Sequence, residues 1–200
     1  MHSSLWYTFY CFLLMNPPLF SNEYFMNEAL KEAHLAFSED EIPIGAVVVW
    51  SNRIIARAHN QTERLKDPTA HAEMLAVTAA TDAVGGKYLN QCSIYVTLEP
   101  CIMCAGALQW VQIANIFFAA PDPRMGFIQT FNASSPFTKL TSRSKNQNAL
   151  NPSAQNQLSG LDTSSIPKSA LHPKTKVFQG IFAEESLTLI KKFFAQKRAI

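Results

Sequence analysis

Glycine is scarce in this sequence, with seven in 200 residues and no period, which excludes collagen-like structure. Cysteine is scarcer still. Four residues cannot staple a chain of this length, so a disulfide scaffold is excluded and cysteine spacing matters more than cysteine number. Neither sign of charge dominates. Lys plus Arg is 17 against 15 Asp plus Glu, a net charge of +2, which announces no nucleic-acid binder but permits a local basic patch. Long apolar runs are missing too. Residues 5–15 (LWYTFYCFLLM) form a run of 11, whereas a membrane-spanning helix needs about 20. No Lys or Arg precedes that run and Asn16-Pro17-Pro18 follows it, unlike a secretory signal. Residues 1–20 are therefore read as a dispensable extension, and no membrane association is expected.

What is present is a core. Hydrophobic residues make up 48% of the chain, enough to exclude global disorder and to suit a single domain over 21–200. Residues 23–37 place Phe25, Ala29, Ala33 and Phe37 one per helical turn. Residues 43–50 (PIGAVVVW) show no polar alternation, as in a strand buried on both faces. Ser51-Asn52 reads as a tight turn into a second strand over 53–58. A polar loop over 60–70 precedes a helix over 71–83, which Gly85-Gly86 stops. A third strand is expected over 93–98, a helix opening at Pro100, a fourth strand over 113–119 and a last strand over 176–182. Ala183, Leu187, Ile190 and Phe194 give a final helix its apolar stripe. Strands alternating with helices predict an α/β layer fold, and the hairpin makes its sheet mixed. Residues 131–168 differ in texture. They are rich in Ser, Thr, Asn and Gln with a single acid, Asp162, and read as a polar flexible insert within the domain.

Two short motifs carry chemistry. Cys101-Ile102-Met103-Cys104 opens a helix, and its i, i+3 spacing puts both sulfurs on one face. The helix N-terminus favours thiolate. A thioredoxin-like redox pair has the same look, but it leaves His71-Ala72-Glu73 without a use. His71 and Glu73 do not share a helix face, so they converge only on a point just beyond the helix N-terminus. Two strand-to-helix junctions, one with a His and one with two Cys, bracket such a point. Two thiolates and one imidazole leave tetrahedral zinc an open fourth position, the mark of a catalytic site. A structural site needs a fourth ligand, and the spacing of His59 from His71 does not match a finger.

His71-Ala72-Glu73 followed by Pro100-Cys101-x-x-Cys104 resembles the signature of the zinc-dependent cytidine and deoxycytidylate deaminase superfamily. Residues 43–47 (PIGAV), Asn60, 67–74 (DPTAHAEM), 96–107 (VTLEPCIMCAGA), Asp122, Gly126 and Phe193-Phe194 in a basic C-terminal helix are similar to the bacterial tRNA-specific adenosine deaminases. The resemblance covers residues 23–126 and 172–198. It implies a three-layer α/β/α cytidine-deaminase-like fold with a mixed, mostly five-stranded sheet, and a cytoplasmic homodimer. The implied reaction converts adenosine to inosine at the wobble position of a tRNA anticodon stem-loop, with one Zn2+ per chain. By that resemblance His71, Cys101 and Cys104 bind zinc and Glu73 carries the proton. Asn60 and the backbone groups of Ala72 and Pro100 hold the base, Asp122 meets the target ribose and Ile42 forms an apolar wall. Glu99 reads as a hydrogen-bonded structural group and Cys92 as a small buried hydrophobe. Lys191, Lys192, Lys197 and Arg198 are the expected phosphate contacts. A deaminase of guanine, cytosine or a nucleotide is the alternative; a free base would need neither Asp122 nor the basic helix.

Overall fold

The structure is a computed structural model that describes residues 19–128 and 171–198. The reading of 131–168 lies outside the described residues, as does nearly all of the 1–20 extension. In chain order the elements are α1 (Asn22–Ser38), β1 (Gly45–Trp50), β2 (Arg53–His59), α2 (Thr62–Leu65) and α3 (Ala72–Val84), then β3 (Cys92–Leu98), α4 (Ile102–Trp110), β4 (Asn115–Ala120), β5 (Lys176–Gln179) and α5 (Ala183–Arg198). The sheet has five strands in the order β2-β1-β3-β4-β5. β2, β1 and β3 pair antiparallel, whereas β3, β4 and β5 run parallel. Ser51 and Asn52 both take positive φ at the β1–β2 turn, which gives the hairpin the twist of its strands.

Side chains alternate between two faces, and both faces are covered. Ala46, Val48, Ile94, Val96, Ile116 and Phe118 pack under Ala72, Ala76 and Val77 of α3 and Ala105 and Leu108 of α4. Their neighbours Val47, Val49, Tyr95, Phe117 and Ala119 pack under Phe25, Met26 and Ala29 of α1, and α5 lies on that side, against α1. This explains the unbroken apolar run of β1: neither set of alternating residues faces water. Each fully buried side chain such as Ile94 or Phe118 contributes about 1.5–3 kcal/mol. Tyr95, Phe117 and Phe178 are register partners on three strands and stack at 4.4 and 4.6 Å. At Gly45 the backbone of α1 lies close against the sheet. A Cβ there would run into the Ala29 carbonyl and the Ala33 backbone nitrogen.

Four expectations need correction. The 60–70 loop contains a short helix, α2, because the Glu41 carboxylate receives Thr62 Oγ1 and the backbone N–H groups of Glu63 and Arg64. That is a cap supplied from a distant residue, invisible to a local reading. The helix expected from Pro100 begins at Ile102, since Pro100 and Cys101 are held in extended pairing with Phe127 and Gly126. The last strand stops at Gln179, where Gly180 takes φ +107. In α5 the buried residues are Ser186, Leu189 and Phe193, one step out of phase with the expected stripe. Among the described residues no helix is long and apolar enough to cross a membrane.

Candidate metal centre and active site

β3 and β4 run parallel, and the chain leaves both at the same sheet edge. Leu98 pairs with Ala120. Beyond that pair lie Glu99, Pro100 and Cys101 on one side and Asp122 on the other. The crevice outside the carboxyl ends of parallel strands is the usual place for a site in α/β sheets. His71 and Cys101 are the N-cap residues of α3 and α4, each extended at φ -71, and neither caps its own helix. Their side chains turn toward each other instead. His71 Nδ1 lies 3.7 Å from Cys101 Sγ and 3.5 Å from Cys104 Sγ, and the sulfurs are 3.6 Å apart.

That triangle fits one ion. Tetrahedral zinc at its usual bond lengths needs about 3.8 Å between two sulfurs and about 3.5 Å between nitrogen and sulfur. Among the described residues this is the only group of three or more His, Cys, Asp or Glu placed to hold a metal. His59 is not a fourth ligand: its ring nitrogens face Glu32 at 3.4 Å and Glu39 at 3.2 Å. The proton affinities of the three residues diverge as those of one shared cluster. The Cys104 thiol beside it and the His71 ring pull Cys101 down to about 4. Contact with Cys101 and burial push Cys104 up. The bond to Cys101 raises His71. Metal binding replaces those protons, so uptake is coupled to pH.

Glu73 sits in the first turn of α3 and is 4% exposed, its carboxyl against the Cys104 thiol. Burial pushes it up to about 7, against the pull of its own backbone N–H and His71. A carboxyl with that affinity takes and returns protons near neutrality.

The other expected site residues spread around this centre. Asn60, buried at the end of β2, accepts the Ala72 N–H on Oδ1 at 2.8 Å. That bond settles the orientation of its amide, leaving Nδ2 as the donor end. Ala72 is fully buried and its N–H is committed to Asn60. The Pro100 carbonyl accepts from Phe127 N at 3.0 Å and keeps a second lone pair. Asp122 Oδ1 accepts from Arg124 N at 2.9 Å, closing a turn, while its N–H goes to Glu99. Ile42 is half-buried and lines a cavity of about 670 Å³ with Asp40, Arg64, Phe193, Phe194 and Lys197; none of the three metal-centre residues lines it. Cys92 is buried in the core and its thiol is pushed up by burial. Of the basic helix, Lys197 pairs with Asp40 at 2.6 Å and Lys192 lies over the Phe37 ring. Glu41 was not among the expected site residues, since an acid at the end of a Glu39-Asp40-Glu41 run carries no signal of what it will cap.

Residues 20–120 match the cytidine and deoxycytidylate deaminase zinc-binding region. The chain is 50% identical to the tRNA-specific adenosine deaminase of Aquifex aeolicus over 111 residues, 55% of this chain and 74% of that one. It is 35% identical to the tRNA-specific adenosine deaminase of Agrobacterium fabrum over 175 residues, 88% of this chain and 95% of that one. A solved structure from studies of A-to-I editing by tRNA:A34 deaminases at the wobble position superposes with a TM-score of 0.60 at 32% identity. It covers 83% of this chain and 98% of its own.

Proposed function

The chain belongs to the tRNA-specific adenosine deaminases of the cytidine and deoxycytidylate deaminase zinc-binding family, and from that premise we propose how its own residues divide the work of converting a wobble adenosine to inosine. The observation that carries the reading is the His71–Cys101–Cys104 triangle with the buried Glu73 carboxyl against it. His71 Nδ1 and the two sulfurs would hold one zinc. When bound, zinc lowers the pKa of a coordinated water, so hydroxide is available near neutral pH. Glu73 would take one proton of the attacking water and deliver it to the purine ring nitrogen as the C–O bond forms at the amino-bearing carbon. It would then carry the second proton from the new hydroxyl to the amino group, which leaves as ammonia as the C–N bond breaks and the carbonyl forms. Its burial excludes competing water and keeps its affinity where both transfers are feasible. Asn60 Nδ2 donates to the purine edge. Ala72 and the Pro100 carbonyl flank the base, Ile42 supplies an apolar wall, and Asp122 Oδ2 receives a hydroxyl of the target ribose.

The substrate is the anticodon stem-loop of a tRNA, where an unpaired nucleotide is extruded at low cost. Lys191, Lys192, Lys197 and Arg198 on α5 supply phosphate contacts, and tRNA places the work in the cytoplasm. Two copies pair through the outer face of α4. Ile102 and Trp110 are exposed there at 45% and 83%, and Gly106 between them leaves that face flat. Exposed apolar surface of this kind marks an interface.

The test is incubation with an unmodified anticodon stem-loop carrying a wobble adenosine, scored for inosine beside guanine, cytosine and free adenosine. Inosine in the stem-loop is expected. Turnover of guanine or cytosine with none of the stem-loop would overturn the RNA assignment.

A further inference from the structure

Glu99 is 4% exposed and lies two residues before Cys101. Its backbone N–H extends the β3–β4 ladder by one bond, to the Ala120 carbonyl at 2.8 Å. Its carboxylate then spans the loop that follows β4. Oε2 accepts the Asp122 N–H at 3.0 Å and Oε1 accepts the Ile128 N–H at 2.9 Å. The loop is closed at its middle as well. Gly126 pairs with Cys101, the Phe127 N–H reaches the Pro100 carbonyl, and the Gly126 N–H reaches the Asp122 carbonyl. A Cβ at Gly126 would collide with the Glu99 carboxyl and with the Asp122 carbonyl. The carboxylate therefore fills a cradle that only glycine at 126 leaves room for.

Both partners of this carboxylate are N–H donors, so both of its oxygens must accept. Glutamine would set its amide nitrogen against one of them, and aspartate is one methylene too short to reach both. Such selectivity exceeds what burial alone demands. We propose that Glu99 is a positioning residue: it fixes the loop 122–128 so that the Asp122 carboxylate faces the ribose of the target nucleotide. Glu99 acts through Asp122 and does not touch the reacting atoms. The proposal rests on the role assigned above to Asp122, and the experiment separates the two.

Steady-state kinetics on the anticodon stem-loop are compared for wild type, Glu99→Gln, Asp122→Ala and the double variant, with zinc content measured for each. Hydrogen bonds to a charged acceptor are among the stronger ones, so Glu99→Gln should lower kcat/KM roughly tenfold, mostly through KM, with zinc retained. In the Asp122→Ala background the same substitution should cost nothing further, since its effect has no path left. Gly126→Ala should reproduce the KM rise by crowding the carboxylate from the other side. Full additivity of Glu99→Gln and Asp122→Ala would overturn the proposal, as would zinc loss in step with activity. Undiminished kcat/KM in Asp122→Ala would remove the ribose contact itself and the proposal with it. If Glu99→Gln does not fold, amide exchange in the wild-type chain decides: Asp122 and Ile128 N–H must be protected, and rapid exchange at both rejects the cradle.

Discussion

Asn60 and Ala72, twelve residues apart, are joined by a 2.8 Å hydrogen bond from the Ala72 N–H to the Asn60 side-chain oxygen. The bond satisfies a first-turn N–H of α3 that His71, the N-cap residue, leaves unpaired. It also aims the Asn60 Nδ2 donor away from the helix.

In the proposed reading, structure and substrate recognition use opposite ends of one amide, and two substitutions separate them. Asn60→Ala leaves a buried N–H without a partner, at a cost of about 1–3 kcal/mol, and should lower both melting temperature and turnover. Asn60→Asp keeps an acceptor for Ala72 and removes the donor. It should hold zinc and the fold while turnover of the stem-loop falls. Wild-type turnover in a folded Asn60→Asp protein would remove Asn60 from base recognition.

Glu73→Gln tests the proton carrier. The amide has the carboxyl's shape and no exchangeable charge, so fold and zinc should persist while kcat drops by roughly 10²–10⁴-fold. Burial favours the neutral form of Glu73, and a base must be ionised to accept a proton. The wild-type rate should therefore fall as pH drops, and the residual rate of the variant should lose that acid limb. Elemental analysis beside stopped-time inosine assays checks both. A zinc-loaded Glu73→Gln protein with near-normal kcat would end the assignment.

The alternation of strands and helices, the two-faced apolar strands and the two motifs that meet in the His71–Cys101–Cys104 cluster were legible in the sequence for one physical reason: each depends on near neighbours. Val47 and Val48 point to opposite faces whatever else the chain does, and His71 and Cys101 belong to junctions that local punctuation marks. The remainder depends on distant partners. α2 exists because Glu41 caps it from across the chain. The start of α4 waits for Gly126 and Phe127 to finish pairing with Cys101 and Pro100. The buried stripe of α5 is Ser186, Leu189 and Phe193, set by what the helix packs against rather than by its own apolar spacing. Asp122 was expected only to meet a ribose, and the turn that its Oδ1 closes onto the Arg124 N–H is a local bond that the resemblance did not carry.

A charge ladder on the α1–β2 side gives a pH signature. Glu28 bonds Lys31 at 2.5 Å and Arg57 at 2.6 Å with its side chain only 10% exposed. Burial by itself would raise its pKa; the two cations outweigh that and hold it below its ordinary value of 4.5. A carboxylate with a depressed folded-state pKa stabilises the fold above its unfolded value and loses that contribution as pH falls through the folded one. Glu28→Gln should thus cost about 1 kcal/mol at pH 7 and progressively less below about pH 4. Urea melts across pH 3–7 check this. A cost that stays constant over that range would mean that packing, not charge, holds Glu28 in place.

Lys197 is the expected phosphate contact that the fold already occupies. Its ammonium lies 2.6 Å from Asp40 Oδ2 and over the Phe193 ring at 5.5 Å, on the rim of the cavity lined by Ile42 and Phe194. The Asp40 side chain is 77% exposed, and an ion pair in that setting is worth about 0–1 kcal/mol. An arriving phosphate therefore displaces Asp40 at little cost, but the carboxylate stays nearby and repels it. Asp40→Asn removes both the competitor and the repulsion. It should tighten stem-loop binding by roughly threefold to fivefold at low salt, as one near-surface charge is worth about 1 kcal/mol. Each phosphate contact on a single strand adds about 0.7 to the slope of log affinity against log salt. Lys197→Ala should flatten that slope by one such step, and in its presence Asp40→Asn should gain much less. Filter binding across a salt series measures all four proteins. Equal affinity of wild type and Asp40→Asn at every salt concentration would place Lys197 outside the RNA path and leave Lys191, Lys192 and Arg198 to carry the phosphates.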